Sequence, residues 1–216
     1  MSRTKKIFAV VAAVLVLAAA FSYWQIQRFA ATPLTIDQET IYTLPAGTGR
    51  VALEAQLESQ HLIPQSVWFG PLLKLEPDLA RFKAGTYRLE KGMTVRALLQ
   101  LLASGKEAQF PLRLVEGQRL IDWLAELRAA PYIKHQLKDD QFATLAKTLN
   151  IDPQALEGSF YPDTYLYTAN TSDIALLQRA HARMTALVDQ IWKNRMPDLP
   201  YKNPQEIVTM ASVIEK

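Results

Sequence analysis

The sequence predicts a protein of mixed helices and strands behind one N-terminal membrane-spanning helix. Three observations lead to this prediction: an uninterrupted apolar run near the N-terminus, a strand–turn–helix pattern that recurs three times, and helical apolar periodicity after residue 131. The chain has 216 residues, and 49% of them are hydrophobic, so it is long enough to bury a sizeable core.

The apolar run covers residues 7–26 and contains no charged side chain. Twenty helical residues rise about 30 Å, which is enough to cross the hydrocarbon core of a bilayer. Two lysines directly precede the run, so residues 1–6 are expected on the cytoplasmic side. A cleaved signal peptide is the alternative. The run continues beyond the small residues at 18–20, and its length favours an uncleaved anchor.

Residues 27–39 are predicted to form a short polar connector, after which the strand–turn–helix pattern begins. Each turn contains a glycine, and apolar residues six and ten positions later share one face of the helix that follows. The three strand-like runs are 40–44, 86–89 and 111–115, and their helices are expected to end near Leu57, Ala103 and Arg128. A further helix is predicted over 65–75. Residues 40–106 are therefore expected to form one compact module.

From residue 131 the chain is predicted to be largely helical, with helices over 139–149 and 173–194. The aromatic-rich stretch 156–168 between them is broken by a glycine and a proline. Asn203 is predicted to cap a last helix, with proline at its first position and Glu206 at its third. This helix reaches the end of the sequence without a stop signal, so we expect the chain to be truncated.

Composition excludes several kinds of chemistry. The chain has no cysteine, which excludes disulfides, cysteine-based zinc sites and a cysteine nucleophile. Its three histidines lie far apart in the sequence and not in ligand spacing, so no metal site is expected. Of 24 basic residues, three lie before residue 28 with no acid, and residues 28–216 carry 21 basic and 21 acidic residues. A nucleic-acid-binding protein would be expected to carry a basic surplus there.

Four long strings give the sequence a specific resemblance. They are FKAGTYRL at 82–89, SGKEAQFPLRLVEGQRL at 104–120, EGSFYPDTYLYTANT at 157–171 and TMASVIEK at 209–216. With the N-terminal anchor, they resemble the endolytic murein transglycosylases, the YceG-like proteins of bacteria. The resemblance implies an α+β fold: a small LysM-like module over 40–106 next to the membrane, then the N-terminal part of a catalytic domain over 107–216.

The resemblance also implies an activity and a location. Members of this family cleave the β-1,4 bond from N-acetylmuramic acid to N-acetylglucosamine within nascent peptidoglycan, and they leave 1,6-anhydro ends. The implied partners are glycan strands, the inner membrane through residues 7–26, and peptidoglycan synthases. No cofactor and no nucleic acid is implied. The protein is expected to be a single-pass inner-membrane protein with its bulk in the periplasm.

The resemblance places the catalytic acid at the end of the last helix. In the family the motif continues as I-E-K-E-T, and its second glutamate is the acid, which is expected immediately after Lys216. Glu215 is its neighbour, but it projects to the opposite shoulder of the helix and is not expected to be the catalyst. The chain as given is therefore expected to be an inactive fragment.

The segment 157–165 supplies the remaining candidate site residues, which are Glu157, Tyr161, Asp163 and Tyr165. The resemblance implies that they line the glycan cleft or hold the catalytic helix. The competing interpretation is a Pro-Asp-Thr turn with packed aromatic residues and no contact with substrate. Two functions without catalysis also stay open: a membrane-anchored peptidoglycan-binding module, and a scaffold for the cell-wall machinery.

Overall fold

The computed structural model describes residues 3–137, 142–197 and 199–214, with side chains from residue 7 onwards. The chain divides into two compact units, Met1–Ala108 and Gln109–Lys216, here called the N-terminal unit and the C-terminal unit. Both contain helices and a two-stranded antiparallel sheet, so the predicted mixture of helix and strand is confirmed. The assignment of residues 40–106 and 107–216 to a LysM-like module and part of a catalytic domain stays a prediction.

Helix α1 spans Arg3–Ala30. Among the described residues it is the one helix long and apolar enough to cross a membrane, over Ile7–Ala30, with a mean hydropathy of 2.3. Its last turn departs from the predicted polar connector over 27–39. Phe29 and Ala30 are buried in the core of the N-terminal unit, and Leu34 beyond them is buried as well. The helix therefore continues into the core, because these apolar side chains gain more from packing than from exposure in a linker.

The N-terminal unit pairs two short strands and covers them with helices. Strand β1 (Thr40–Leu44) runs antiparallel to β2 (Gly85–Leu89), with Thr40 opposite Leu89. The helices are α2 (Arg50–Ser59), α3 (Phe69–Leu75), a 3-10 turn at Pro77–Ala80, and α4 (Val95–Ser104). Helix α3 begins four residues later than predicted, because the Ser66 hydroxyl accepts a hydrogen bond from the Trp68 N–H and holds a turn there.

The core of the N-terminal unit is made by apolar faces that the sequence pattern predicts. Helix α4 is the clearest case: Thr94 caps its start by accepting from the Ala97 N–H at 3.2 Å, and Gly105 ends it with φ of 72°. Strand β2 and three helices contribute fully buried side chains to this core. They include Leu53, Leu57, Phe69, Leu72, Tyr87, Leu89, Leu98, Leu99 and Leu102.

The C-terminal unit is built around strand β3 (Phe110–Leu114) and strand β4 (Asp163–Tyr167), which pair antiparallel. Its helices are α5 (Leu120–Ala129), α6 (Phe142–Leu149), a 3-10 turn at Pro153–Ala155, α7 (Asp173–Lys193) and α8 (Pro204–Ile214). The predicted start of the sixth helix, at residue 139, lies outside the described residues. Strand β4 is not predicted by the sequence pattern.

Helix α8 begins as predicted. The Asn203 side chain accepts from the Glu206 N–H at 3.1 Å, and the Glu206 carboxylate accepts from the Lys202 N–H at 2.8 Å. No residue of its described part is buried, and Val213 and Ile214 are 67% and 78% exposed. Glu215 and Lys216 lie outside the described residues, so the structure does not describe the expected position of the acid.

Candidate functional site

Three of the four candidate residues, Tyr161, Asp163 and Tyr165, lie where β4 meets α7 in the C-terminal unit. Strand β4 alternates between the core and the surface: Tyr165 and Tyr167 are buried, whereas Thr164 and Leu166 are exposed. Asp163 lies at the start of the strand, opposite Leu114 of β3. Helix α7 runs alongside and brings Arg179 and Arg183, one turn apart, to this strand.

Asp163, Tyr161 and Arg183 form a cluster at the surface. The Arg183 guanidinium makes an ion pair with the Asp163 carboxylate, and its Cζ lies 4.6 Å from the centre of the Tyr161 ring. The side chains of Arg183 and Asp163 are 54% and 35% exposed, so the pair is reachable from solvent. Because solvent screens an exposed ion pair, this pair adds little to the stability of the fold. What the cluster offers at the surface is charged hydrogen-bonding groups beside an aromatic ring.

Tyr165 lies deeper and serves the packing. It is 4% exposed, and its hydroxyl donates to the Tyr161 carbonyl at 2.7 Å. Burial raises the pKa of this hydroxyl above its usual value, against the opposing effect of the Arg183 charge. The Arg179 guanidinium lies 5.8 Å from the ring centre and donates to the Leu166 carbonyl. The structure thus places Tyr165 beneath the surface cluster and not within it.

Glu157 stands apart from the other three candidates. Its side chain accepts a hydrogen bond from the Leu120 N–H at 3.0 Å, which satisfies one of the free donors at the start of α5. The negative charge is favourable there, because the N-terminus of a helix carries partial positive charge. The structure gives Glu157 a capping role, although the residue itself stays exposed.

Gly158 connects this segment to α8. Its backbone has φ of +81°, and a Cβ built on it would lie 3.4 Å from Cγ1 of Val208. The neighbouring carbonyl of Ser159 accepts from Nδ1 of His181 at 2.9 Å, and the Tyr161 N–H donates to the Ala180 carbonyl. Residues 159–161 are therefore hydrogen-bonded to α7, and Gly158 lies close to α8.

Sequence reasoning missed Arg179, Arg183 and Asp173. The two arginines are spaced four apart on α7, a signal that becomes informative only once β4 is known to lie beside that helix. Asp173 is 3% exposed and accepts from the backbone N–H groups of Gln136, Leu137 and Ile174. These bonds tie the strand-like stretch before residue 138 to the start of α7, which is a structural role.

Two further observations bear on chemistry. Among the described residues, no group of three histidine, aspartate or glutamate side chains is arranged to hold a metal ion. A depression in the C-terminal unit is lined by Leu124, Leu127, Arg128, Leu137, Phe142, Leu145 and Asp173, and none of the four predicted site residues lines it.

Comparison with known proteins shows which family the chain belongs to. The model of the YceG-like family matches residues 42–216, which is more than half of the chain. The chain belongs to the YceG-like family. It is 27% identical over 206 residues to the endolytic murein transglycosylase of Bacillus subtilis (strain 168), an alignment that covers 85% of this chain and 56% of that protein. The chain thus spans little more than half the length of that relative.

A solved structure is also similar in part. The crystal structure of a yceG-like protein from Listeria monocytogenes is 20% identical to this chain, with a TM-score of 0.36. The match covers 72% of this chain and 57% of the Listeria chain.

Proposed function

We propose that the protein is an endolytic lytic transglycosylase of nascent peptidoglycan, and that residues 109–214 hold the helix that carries its catalytic acid. Membership of the YceG-like family and the relative named as an endolytic murein transglycosylase support this proposal. The placement of the segment 157–165 near α8 is supported by one observation: a Cβ built on Gly158 would lie 3.4 Å from Cγ1 of Val208.

The proposed reaction requires one carboxyl group. As an acid it protonates the glycosidic oxygen, and the bond from C1 of N-acetylmuramic acid to that oxygen breaks. As a base it then takes the proton of the C6 hydroxyl of the same muramyl residue while that oxygen bonds to C1. The product is a 1,6-anhydro end, and no water is consumed. A carboxyl that acts first as an acid needs a raised pKa, which burial beside apolar side chains provides.

The acid is proposed to be the residue that follows Lys216 in a longer chain. On that proposal the 216-residue chain binds glycan without cleaving it. Within the described residues, the cluster of Tyr161, Asp163 and Arg183 is proposed to contact the glycan, since its charged groups can bond sugar hydroxyls beside an aromatic ring. Glu157 and Tyr165 are proposed to position the segment, because each already hydrogen-bonds the backbone.

The location and partners are proposals as well. Helix α1 is proposed to anchor the protein in the inner membrane, with the N-terminus in the cytoplasm and the bulk of the chain, beyond α1, in the periplasm. A LysM-like role is proposed for residues 40–106, whose strand–helix–helix–strand order is compact. Peptidoglycan synthases are proposed as partners, because a strand that is cut while nascent lies close to the enzyme that extends it.

The direct test is digestion of lipid-linked nascent glycan followed by mass spectrometry of the products. The 216-residue chain and a longer chain that includes the glutamate after Lys216 are compared. We expect 1,6-anhydro ends from the longer chain alone. Anhydro ends from the short chain would contradict the placement of the acid. A longer chain that binds purified sacculi and never cleaves them would favour a binding module instead.

The roles within the segment are tested by paired variants of the longer chain. Tyr161→Ala removes the half-buried ring of the cluster, whereas Tyr165→Phe removes only a hydroxyl that bonds the backbone. We expect the first variant to lose at least about tenfold in kcat/KM, which corresponds to about 1.4 kcal/mol. The second should keep its kcat/KM and lose stability. Equal losses of kcat/KM would show that Tyr161 acts only through folding.

A further inference from the structure

Three aromatic rings are packed in a row at one end of the sheet of the C-terminal unit. Phe110 of β3 and Tyr167 of β4 are opposite one another and buried, with ring centres 5.7 Å apart. Tyr132, in the loop after α5, adds a third ring, whose centre lies 4.7 Å from that of Phe110 at an interplanar angle of 31°. Tyr132 is 48% exposed. Phe110 therefore supports one face of the Tyr132 ring and leaves the other face to solvent.

The backbone of Tyr132 has a conformation that suits few side chains. Its φ is 60°, in the left-handed region, where a Cβ comes too close to the following carbonyl oxygen. Among the described residues, the other non-glycine residues with positive φ are His61, Asn150 and Asn170, which are of the types enriched there. A bulky residue in this conformation is an outlier, and such outliers cluster at ligand-binding sites. Local conformation therefore does not explain the aromatic ring at this position.

Hydrogen bonds on both sides of Tyr132 hold this loop in place. The Tyr132 carbonyl accepts from the Asn170 N–H at 2.8 Å, and the carbonyl just before it accepts from the Tyr167 hydroxyl at 2.8 Å. Two residues further on, the Lys134 N–H donates to the Thr171 carbonyl at 2.9 Å. These bonds attach the loop to β4 and to the turn that follows it. The Tyr132 ring is thus held at the surface before any ligand binds, which lowers the entropic cost of binding.

The turn bonded to Tyr132 carries uncharged polar side chains. Asn170 is exposed, and its amide makes no side-chain hydrogen bond within the described part of the chain. The hydroxyls of Thr168 and Thr171 lie 3.4 Å from one another in the same turn. An amide and hydroxyls both donate and accept hydrogen bonds. An exposed aromatic face beside such groups suits a sugar, whose ring has an apolar C–H face and a rim of hydroxyl and amide groups.

We propose that Tyr132 is a sugar-stacking residue, which takes the apolar face of one sugar ring of a peptidoglycan strand. The proposal rests on the glycan binding proposed above. It adds a second contact, separate from the surface cluster around Asp163: Tyr167, at the Tyr132 end of β4, is four residues from Asp163, which is about 13 Å along a strand. The contact would be made by the ring and not by the tyrosine hydroxyl.

The test measures the affinity of the full 216-residue chain, in detergent, for soluble glycan strands released from sacculi. The strands are used with their peptide stems and after an amidase has removed the stems. Tyr132→Asn removes the ring and suits the left-handed backbone, whereas Tyr132→Phe keeps the ring and removes only the hydroxyl. The matched control is Phe142→Asn, which removes a ring that is 37% exposed on α6 of the same unit. Isothermal titration calorimetry gives each Kd, and thermal unfolding gives each Tm.

We expect Tyr132→Asn to raise the Kd for stripped strands at least about fivefold, with Tyr132→Phe and Phe142→Asn within about twofold of the parent. The Tm of Tyr132→Asn should change little, because the relaxed backbone offsets the lost contact with Phe110.

Three results would overturn the proposal and leave glycan binding intact: an unchanged Kd for Tyr132→Asn, an equal rise for Tyr132→Phe, or a rise that comes with loss of cooperative unfolding. A parent chain that binds only strands with stems would show peptide recognition and would also overturn it. A parent chain that binds neither kind of strand would contradict the proposed function as well.

Discussion

Two tyrosines that face each other across the sheet of the N-terminal unit should respond to the same substitution with opposite signs. Tyr42 of β1 and Tyr87 of β2 are opposite one another and almost fully buried. The Tyr87 hydroxyl donates to the Lys83 carbonyl at 2.6 Å. The Tyr42 hydroxyl is buried and has no hydrogen-bond partner in the described part of the chain. Phenylalanine keeps the ring at either position and removes only the hydroxyl.

The magnitudes follow from this difference. A buried hydroxyl without a partner costs about 1–3 kcal/mol, so Tyr42→Phe should raise the free energy of unfolding by about 1 kcal/mol. Tyr87→Phe removes a made bond and leaves a carbonyl unpaired, so it should lower that free energy by about 1 kcal/mol. The two variants should differ by about 2 kcal/mol. At about 2–4 °C per kcal/mol for a chain of this size, their Tm values should differ by about 4–8 °C.

At alkaline pH, the difference in free energy of unfolding between Tyr42→Phe and the parent chain should increase. Burial raises the pKa of Tyr42 from 10.0 to about 12. Between these values the unfolded state has lost the proton and the folded state has kept it. The contribution to stability is therefore present below pH 10 and is lost as the pH rises through the folded-state pKa. Tyr42→Phe has no such group to ionise, so its advantage should grow over this window.

The assay is thermal unfolding of the full chain in detergent, followed by circular dichroism. Amide hydrogen exchange of peptides from 40–44 and 85–89 assigns the change to the N-terminal unit. Tyr42→Phe that loses as much stability as Tyr87→Phe would refute the reasoning, since the Tyr42 hydroxyl would then have a partner. An advantage that stays constant from pH 8 to pH 11 would refute the assignment of the raised pKa.

Three further substitutions test the C-terminal unit. Gly158→Ala should lower the free energy of unfolding by about 1–2 kcal/mol, because alanine disfavours a φ of +81°; urea unfolding measures this change. Asp173→Ala should lower the free energy of unfolding by about 3 kcal/mol, because it leaves three backbone N–H groups without their acceptor. Asp173→Asn should lower it less, and the Tm values of the two variants test this difference. Arg183→Met should change stability by less than about 1 kcal/mol, yet weaken sedimentation with purified sacculi at least threefold if the cluster contacts glycan.

Local patterns predicted most of the elements. The strand over 40–44 and the helices that end near residues 103 and 128 depend on nearby glycines and apolar spacing, and the structure has each within about two residues. Strand β4 could not be predicted in this way. Gly158 and Pro162 resemble the signals of a turn, and the partner strand of β4 lies some fifty residues earlier, at Phe110–Leu114. Its formation depends on a pairing that no local window contains.

The candidate site follows the same division. The stretch 157–165 is prominent because aromatic and acidic residues are concentrated there. The different roles of its members were not predictable, because they depend on what each side chain meets. Glu157 meets the start of α5, Asp163 meets Arg183, and Tyr165 meets the core. These partners come from helices that are distant in the sequence, so only the fold brings them together.

The burial of the last turn of α1 has a mechanical consequence. A flexible connector of thirteen residues would have a root-mean-square reach of about 20 Å and would let the N-terminal unit turn freely. Phe29 and Ala30 instead belong to the core of that unit, so α1 and the rest of the unit move together as one rigid body. Spanning helices tilt when the thickness of the bilayer changes. Such a tilt would rotate β1, β2 and the helices around them by the same angle. The lipid composition would thereby set the orientation of this unit relative to the membrane.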